Sequence, residues 1–101
     1  MEVELKDWLE KYDEKVKSFG FAFKGIDGGF PEKATCVRYK KYDANFFVFC
    51  FSGYADVEPP ILIDLYIKPK RKKAKSFIQI TTEKAFKILE AFKILEENNN
   101  F

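Results

Sequence analysis

The sequence predicts an α+β domain: an antiparallel β-meander of four to five strands with an N-terminal and a C-terminal helix packed on one face. Three observations predict it. Near both ends of the chain apolar residues recur at three- and four-residue steps, the spacing of an amphipathic helix. From about residue 21 to 80, runs rich in aromatic and β-branched residues are separated by Gly, Pro, Asn and Asp, which is the punctuation of strands and turns. Finally, 101 residues supply one core and not two, so a single domain over 1–101 is expected.

Leu5, Trp8, Leu9, Tyr12, Val16 and Phe19 share a helical face, with Lys and Glu between them, and Gly20 supplies the stop; the first helix is expected over roughly 4–19. FAFKGI, the turn signal Asp27-Gly28-Gly29 with Phe30-Pro31, and ATCVRYKKY read as a hairpin, and Asp43-Ala44-Asn45 as the next turn. The run from Phe46 to Phe51 is apolar at every position, as a central strand covered on both faces requires. Glu58-Pro59-Pro60 breaks the chain before ILIDLYIK, whose aliphatic Ile61, Ile63, Leu65 and Ile67 form a core face. SFIQI is a short strand with Ile78 and Ile80 inward, and Thr81-Thr82-Glu83 opens a second helix that runs to about Glu97.

That helix contains AFKILE twice, at 85–90 and 91–96. Six residues advance a helix by about 240°, so the two copies do not share a face and imply no solenoid. Ala85, Ile88, Leu89, Phe92 and Leu95 make the main stripe, and Phe86 and Ile94 fall outside it. An apolar surface that wide asks for a second partner, and a homodimer is expected from it.

The formal charge is only +2, yet Lys68, Lys70, Arg71, Lys72, Lys73 and Lys75 place six cations in residues 68–75, which leaves the other 93 residues at −4. So local a positive field points to an anionic partner. One Gln, four Asn, three Ser and three Thr against 34 charged side chains is the Lys/Glu-rich balance of hyperthermophile proteins. The start MEVELKDWLEK has neither the basic opening nor the apolar run of a signal peptide, and no segment reaches membrane-span length, so a cytoplasmic protein without membrane association is expected. Cys36 and Cys50 match no zinc spacing and are expected as free thiols, although a hairpin placing them opposite each other would allow a disulfide.

With both helices on one side of the sheet, strand alternation assigns the other side. Leu62, Asp64, Tyr66 and Lys68 stand there from one strand, Phe77 and Gln79 from the next, and Cys36, Arg38 and Lys40 from the strand over 35–40. The central strand adds either Phe47, Phe49 and Phe51 or Phe46, Val48 and Cys50, because both of its faces are apolar. The expected site is an aromatic face with Arg38 and Lys40 at one side and the 68–75 loop over one end. Unpaired bases stack on aromatic rings while cations track the phosphates, so the combination suits sequence-independent binding of single-stranded DNA, or RNA by the same chemistry. Duplex DNA suits it less, since its bases are already stacked and neither helix carries a basic face for a groove.

The order of elements and the run SFIQITTEKAFKIL into a last helix resemble two groups of single-stranded DNA binders. The stretch ILIDLYIKPKRKKAKSFIQITTEKAFKILEAF is similar to the strand, basic strand and helix of the coactivator positive cofactor four. The whole chain, with its leading helix, is more similar to the ThermoDBP single-stranded DNA-binding proteins of hyperthermophiles and their relatives. That resemblance implies a four-stranded sheet with helices behind it and an apolar cleft rimmed by basic residues. Founding members of that family continue into a helical dimerisation segment, where this sequence ends at Phe101.

There is no His, no nucleophile elbow, no metal-ligand cluster and no phosphate-cradling loop, because Gly25 to Gly29 lacks the Lys and the following helix. No enzymatic activity, metal or cofactor is expected. Asp56, Glu58 and Asp64 read as solvated carboxylates. The alternative function is a protein-binding module, a small viral or host inhibitor or regulator that uses the same sheet face.

Overall fold

The computed structural model describes residues 3–28, 34–51, 60–68 and 72–97, with backbone alone at 3 and 94–97. The elements run α1 (Val3–Ser18), β1 (Ala22–Asp27), β2 (Thr35–Lys41), β3 (Ala44–Cys50), β4 (Ile61–Ile67), β5 (Lys75–Ile80) and α2 (Thr82–Glu97). The five strands form one antiparallel sheet in the order β1-β2-β3-β4-β5, a simple meander. The α+β architecture expected from the sequence is the one observed.

Leu5, Trp8 and Val16 carry the buried stripe of α1, and Leu9, Tyr12 and Phe19 pack along its margins. The helix stops where Gly20 takes φ +95° and donates its N–H to the Lys17 carbonyl at 2.9 Å, a left-handed cap that favours residues without a Cβ. The second helix is capped by Thr81, whose Oγ1 accepts the Lys84 N–H at 3.2 Å while its carbonyl accepts that of Ala85 at 3.0 Å. Trp8 Nε1 donates to Thr82 Oγ1 at 2.9 Å, which ties the two helices together at the point where α2 begins.

Both helices cover one side of the sheet. Val37 and Tyr39 from β2, Phe46, Val48 and Cys50 from β3, and Ile63 and Leu65 from β4 meet them with no solvent exposure. The Tyr39 hydroxyl is a polar group within this layer and donates to Asp13 Oδ1 at 2.6 Å. Burial, then that bond, pushes the phenol well above its ordinary value. Partial burial works to raise the Asp13 carboxyl, but the hydrogen bonds from Tyr39 and Lys17 outweigh it and hold the group below the usual carboxylate range.

Three expectations are corrected here. Phe86 is not a spare apolar position: it is 5 % exposed, with its ring 5.5 Å from Tyr12, 6.2 Å from Phe19 and 6.0 Å from Phe46. A helix wedged against both a sheet and a second helix buries a wider arc than a single stripe, and this removes Phe86 as an argument for a dimer. Second, β5 does not alternate. Leu65 pairs with Phe77 but Ile63 pairs with Ile80, so Ile78 and Gln79 together oppose Asp64 in a β-bulge. Phe77 therefore packs against the core on the helix side and Ile78 is half exposed. Third, the β2–β3 turn is Tyr42-Asp43, with Ala44 and Asn45 already in β3.

Cys36 and Cys50 are both free thiols. Cys36 pairs with Phe49 and Cys50 with Thr35, which puts the two side chains on opposite faces of the sheet, where no disulfide joins them.

Candidate functional site

The pairing of β3 decides what periodicity left open. Phe46 lies opposite Tyr39 and Leu65, and Val48 opposite Val37 and Ile63, so the even positions of β3 look toward the helices. Phe47, Phe49 and Phe51 are left to the other face, over which neither helix lies. Three cross-strand rows make up that face. Gly25, Arg38, Phe47 and Asp64 form one; Asp27, Cys36, Phe49 and Leu62 form the row on one side of it; Ala22, Lys40, Asn45 and Tyr66 form the row on the other.

The rings contact one another. Phe47 meets Tyr66 edge-on at 5.8 Å and Phe49 tilted at 6.4 Å, and Phe49 stacks on Phe51 at 6.2 Å. Such pairs hold their rings in place, so the face is an ordered aromatic cluster. Phe47, Phe51 and Tyr66 are partly exposed on it, and Phe49 sits deepest.

A cavity of about 280 Å³ opens on this face, lined by Asp27, Cys36, Arg38, Phe47, Phe49, Asp64 and Tyr66. Its charges are arranged. Arg38 Nε lies 2.7 Å from Asp27 Oδ2, closed off from solvent and held by charge contact more than by an aligned hydrogen bond. The guanidinium reaches this position by lying across Gly25, where a Cβ would come within 3.0 Å of Arg38 Nη2. Gly25 also has φ +142° at the β1 bulge, a second reason for the absence of a side chain. Across Phe47, Asp64 Oδ1 accepts the Gln79 N–H at 2.8 Å, a bond the β5 bulge makes possible by turning Gln79 to φ +52°. Burial first, and then Asp64 by its charge and a hydrogen bond, raises the Tyr66 phenol, so Tyr66 stays a donor to Asp64. Burial and the Asp27 charge push the Cys36 thiol up to about 11, which keeps it protonated and a poor nucleophile at neutral pH.

The lysines gather at one end of the face. The Lys68 N–H donates to the Asp43 carbonyl at 2.9 Å, so the chain leaving β4 runs beside the Tyr42-Asp43 turn. Exposed Lys40 and Lys68 belong to this end, as does Tyr42, which is 97 % exposed; Lys72 and Lys73 are exposed in the segment that leads into β5, at the same end of the sheet. Lys70 and Arg71 lie outside the described residues. Lys75 and Phe77 do not join the face: Lys75 Nζ sits 5.9 Å over the Phe92 ring of α2, and Phe77 packs below the sheet. Of the residues expected for the site, the structure thus brings together Arg38, Lys40, Phe47, Phe49, Phe51, Tyr66 and Lys68.

Asp27 and Tyr42 are the members that sequence reasoning missed. Asp27 reads as part of a turn signal, and only the β1 bulge aligns it with Cys36. Tyr42 reads as the last residue of a strand, although an aromatic next to two lysines in a hairpin tip was the available signal. Among the described residues no group of three His, Cys, Asp or Glu is placed to hold a metal ion, and no helix is long and apolar enough to cross a membrane. No protein-family model, curated protein or solved structure matches the chain.

Proposed function

We propose that the protein binds single-stranded DNA on the open face of its sheet. The observation that carries the proposal is an ordered cluster of Phe47, Phe49, Phe51 and Tyr66 on a sheet face not covered by helices, with exposed Lys40 and Lys68 at one end of it and exposed Lys72 and Lys73 in the segment beyond that leads into β5. Bases stack on the rings, and phosphates follow the lysines. Base stacking on an aromatic side chain is worth ~1–3 kcal/mol and is tolerant of base identity, so most of the affinity is independent of sequence. Duplex binds weakly because its bases offer no free faces and neither of the two described helices carries a basic face to enter a groove.

A protein partner on the same face is the second reading. It is favoured by the charge at the centre, where Asp27 offsets Arg38 and Asp64 adds a further negative charge. Salt separates the two readings. Phosphate contacts release counterions, so affinity for a mixed-sequence single strand falls linearly on a log–log plot against salt, and an apolar protein interface shows no such slope. Fluorescence anisotropy of a labelled single strand over a salt series is the test, and saturable binding with a negative slope supports the nucleic-acid reading. Absence of binding at low salt rejects it.

A further inference from the structure

We propose that the cavity on the open face is a pocket for one nucleobase and that it selects bases that carry an exocyclic amino group. Cytosine, guanine and adenine fit that description; thymine and uracil do not. The proposal rests on the single-strand reading above and adds to it one position at which the strand is read.

Arg38, Phe47 and Asp64 lie side by side on β2, β3 and β4. The Arg38 guanidinium is turned away from Phe47, across Gly25 to Asp27, so of the two charged groups the carboxylate is the one left beside the ring. A base laid on Phe47 turns an edge toward Asp64. The cavity, about 280 Å³, falls just under the ~300–1,000 Å³ of pockets that take drug-sized ligands, which suits one planar base better than a longer ligand. Tyr66 stands edge-on to Phe47 and closes the wall beside Asp64.

Chemistry then decides which base is accepted. A carboxylate offers only acceptors. Asp64 has about four acceptor positions, of which the Gln79 N–H and the Tyr66 hydroxyl take two, which leaves capacity for a base amino group. Cytosine presents its N4 amino group and so meets Asp64 with a donor. Guanine and adenine also pair an amino group with acceptors elsewhere on the ring. Uracil and thymine carry no amino group, and their one ring donor, N3–H, is flanked by carbonyl oxygens on both sides, so any edge that brings it to Asp64 brings an oxygen against the carboxylate as well. With Asp27 offset by Arg38, the Asp64 charge repels phosphate from the centre of the face. Phosphates are thereby directed to the lysine end and bases to the pocket, which gives the strand its placement.

Oligo-dC and oligo-dU of equal length are the probes, since they differ in the base edge and carry no methyl group to confuse the comparison. Anisotropy at neutral pH and low salt is expected to show oligo-dC bound about tenfold more tightly, near the low end of what a well-placed pair of base contacts contributes. In Asp64→Asn the amide oxygen still accepts the Gln79 N–H, so the fold is retained, as an unchanged melting curve will show; the second oxygen becomes a donor and the dC-to-dU ratio falls toward one. Equal affinities in the parent protein overturn the pocket and leave single-strand binding standing. A ratio that survives Asp64→Asn also overturns it. If neither strand binds, the pocket and the functional reading fall together.

Discussion

Phe46 and Phe47 are neighbours in sequence on opposite sides of the sheet, and replacing each by Ala separates folding from function. Phe46 is fully buried, with Trp8, Phe21, Tyr39 and Phe86 all within 6.3 Å ring to ring. Its removal leaves a cavity at the junction of both helices and the sheet, at a cost of ~3–5 kcal/mol of stability. Phe47 is partly exposed and touches Tyr66 and Phe49 at their edges, so its truncation leaves the helix-side core intact. What it removes is one stack, ~1–3 kcal/mol, or a loss of affinity of roughly 5- to 150-fold. Stacking carries no net charge, so the salt slope of the remaining binding stays as it was. Thermal melting and anisotropy on both variants are the assays. A folded Phe47→Ala protein that binds a single strand as tightly as the parent refutes the base platform and reassigns the rings to a protein partner.

Other outcomes follow from the same geometry. Tyr39→Phe deletes a hydrogen bond to a carboxylate and is expected to cost ~1.5–3 kcal/mol by denaturant melts. Because the folded Asp13 carboxyl titrates below its ordinary 3.8, its contribution is present above that value and is lost as pH falls through the folded value, so the parent loses stability on acidification below about pH 4. Tyr39→Phe flattens that acid limb, and an identical limb in both proteins contradicts the assignment. Gly25→Ala places a Cβ against Arg38 Nη2 on a strained backbone, so melting is expected to fall by ~1 kcal/mol or more and the Arg38–Asp27 contact to move in a structure of the variant. An unperturbed Arg38 there argues against the packing described. Lys75→Ala leaves single-strand affinity within twofold of the parent, since its ammonium lies over Phe92 on the helix side; a tenfold loss places the lysine in the interface.

Most of the fold was legible in the sequence because helix and strand periods differ and each carried its own punctuation. Gly20 and Thr81 mark their helix ends, and the odd positions of ILIDLYIK choose the core face of β4 unaided. The face of β3 was illegible, since Phe46 to Phe51 is apolar throughout, and only pairing with the alternating β2 and β4 orients it. Bulges defeat alternation altogether. One extra residue in β5 moved Phe77 to the helix side and exposed Ile78, and one in β1 carried Asp27 beside Cys36. Charge was legible as a cluster but not as a direction: Lys75 belongs to the basic run in sequence and to α2 in space. Of the cavity's carboxylates, Asp64 reads as solvated and Asp27 as part of a turn, because nothing in the sequence shows that they stand on either side of Arg38 and Phe47.

The most direct test of the central claim compares a mixed-sequence single strand with its duplex over a salt series. Four phosphate contacts, matching Lys40, Lys68, Lys72 and Lys73, at about 0.7 per phosphate predict a log–log slope near −3 for the single strand. Replacing those four lysines by Gln flattens the slope toward zero while the protein still melts as a folded domain. The account predicts tighter binding of the single strand than of the duplex at every salt concentration. Equal affinity for the two, or a slope that the four replacements leave unchanged, contradicts it.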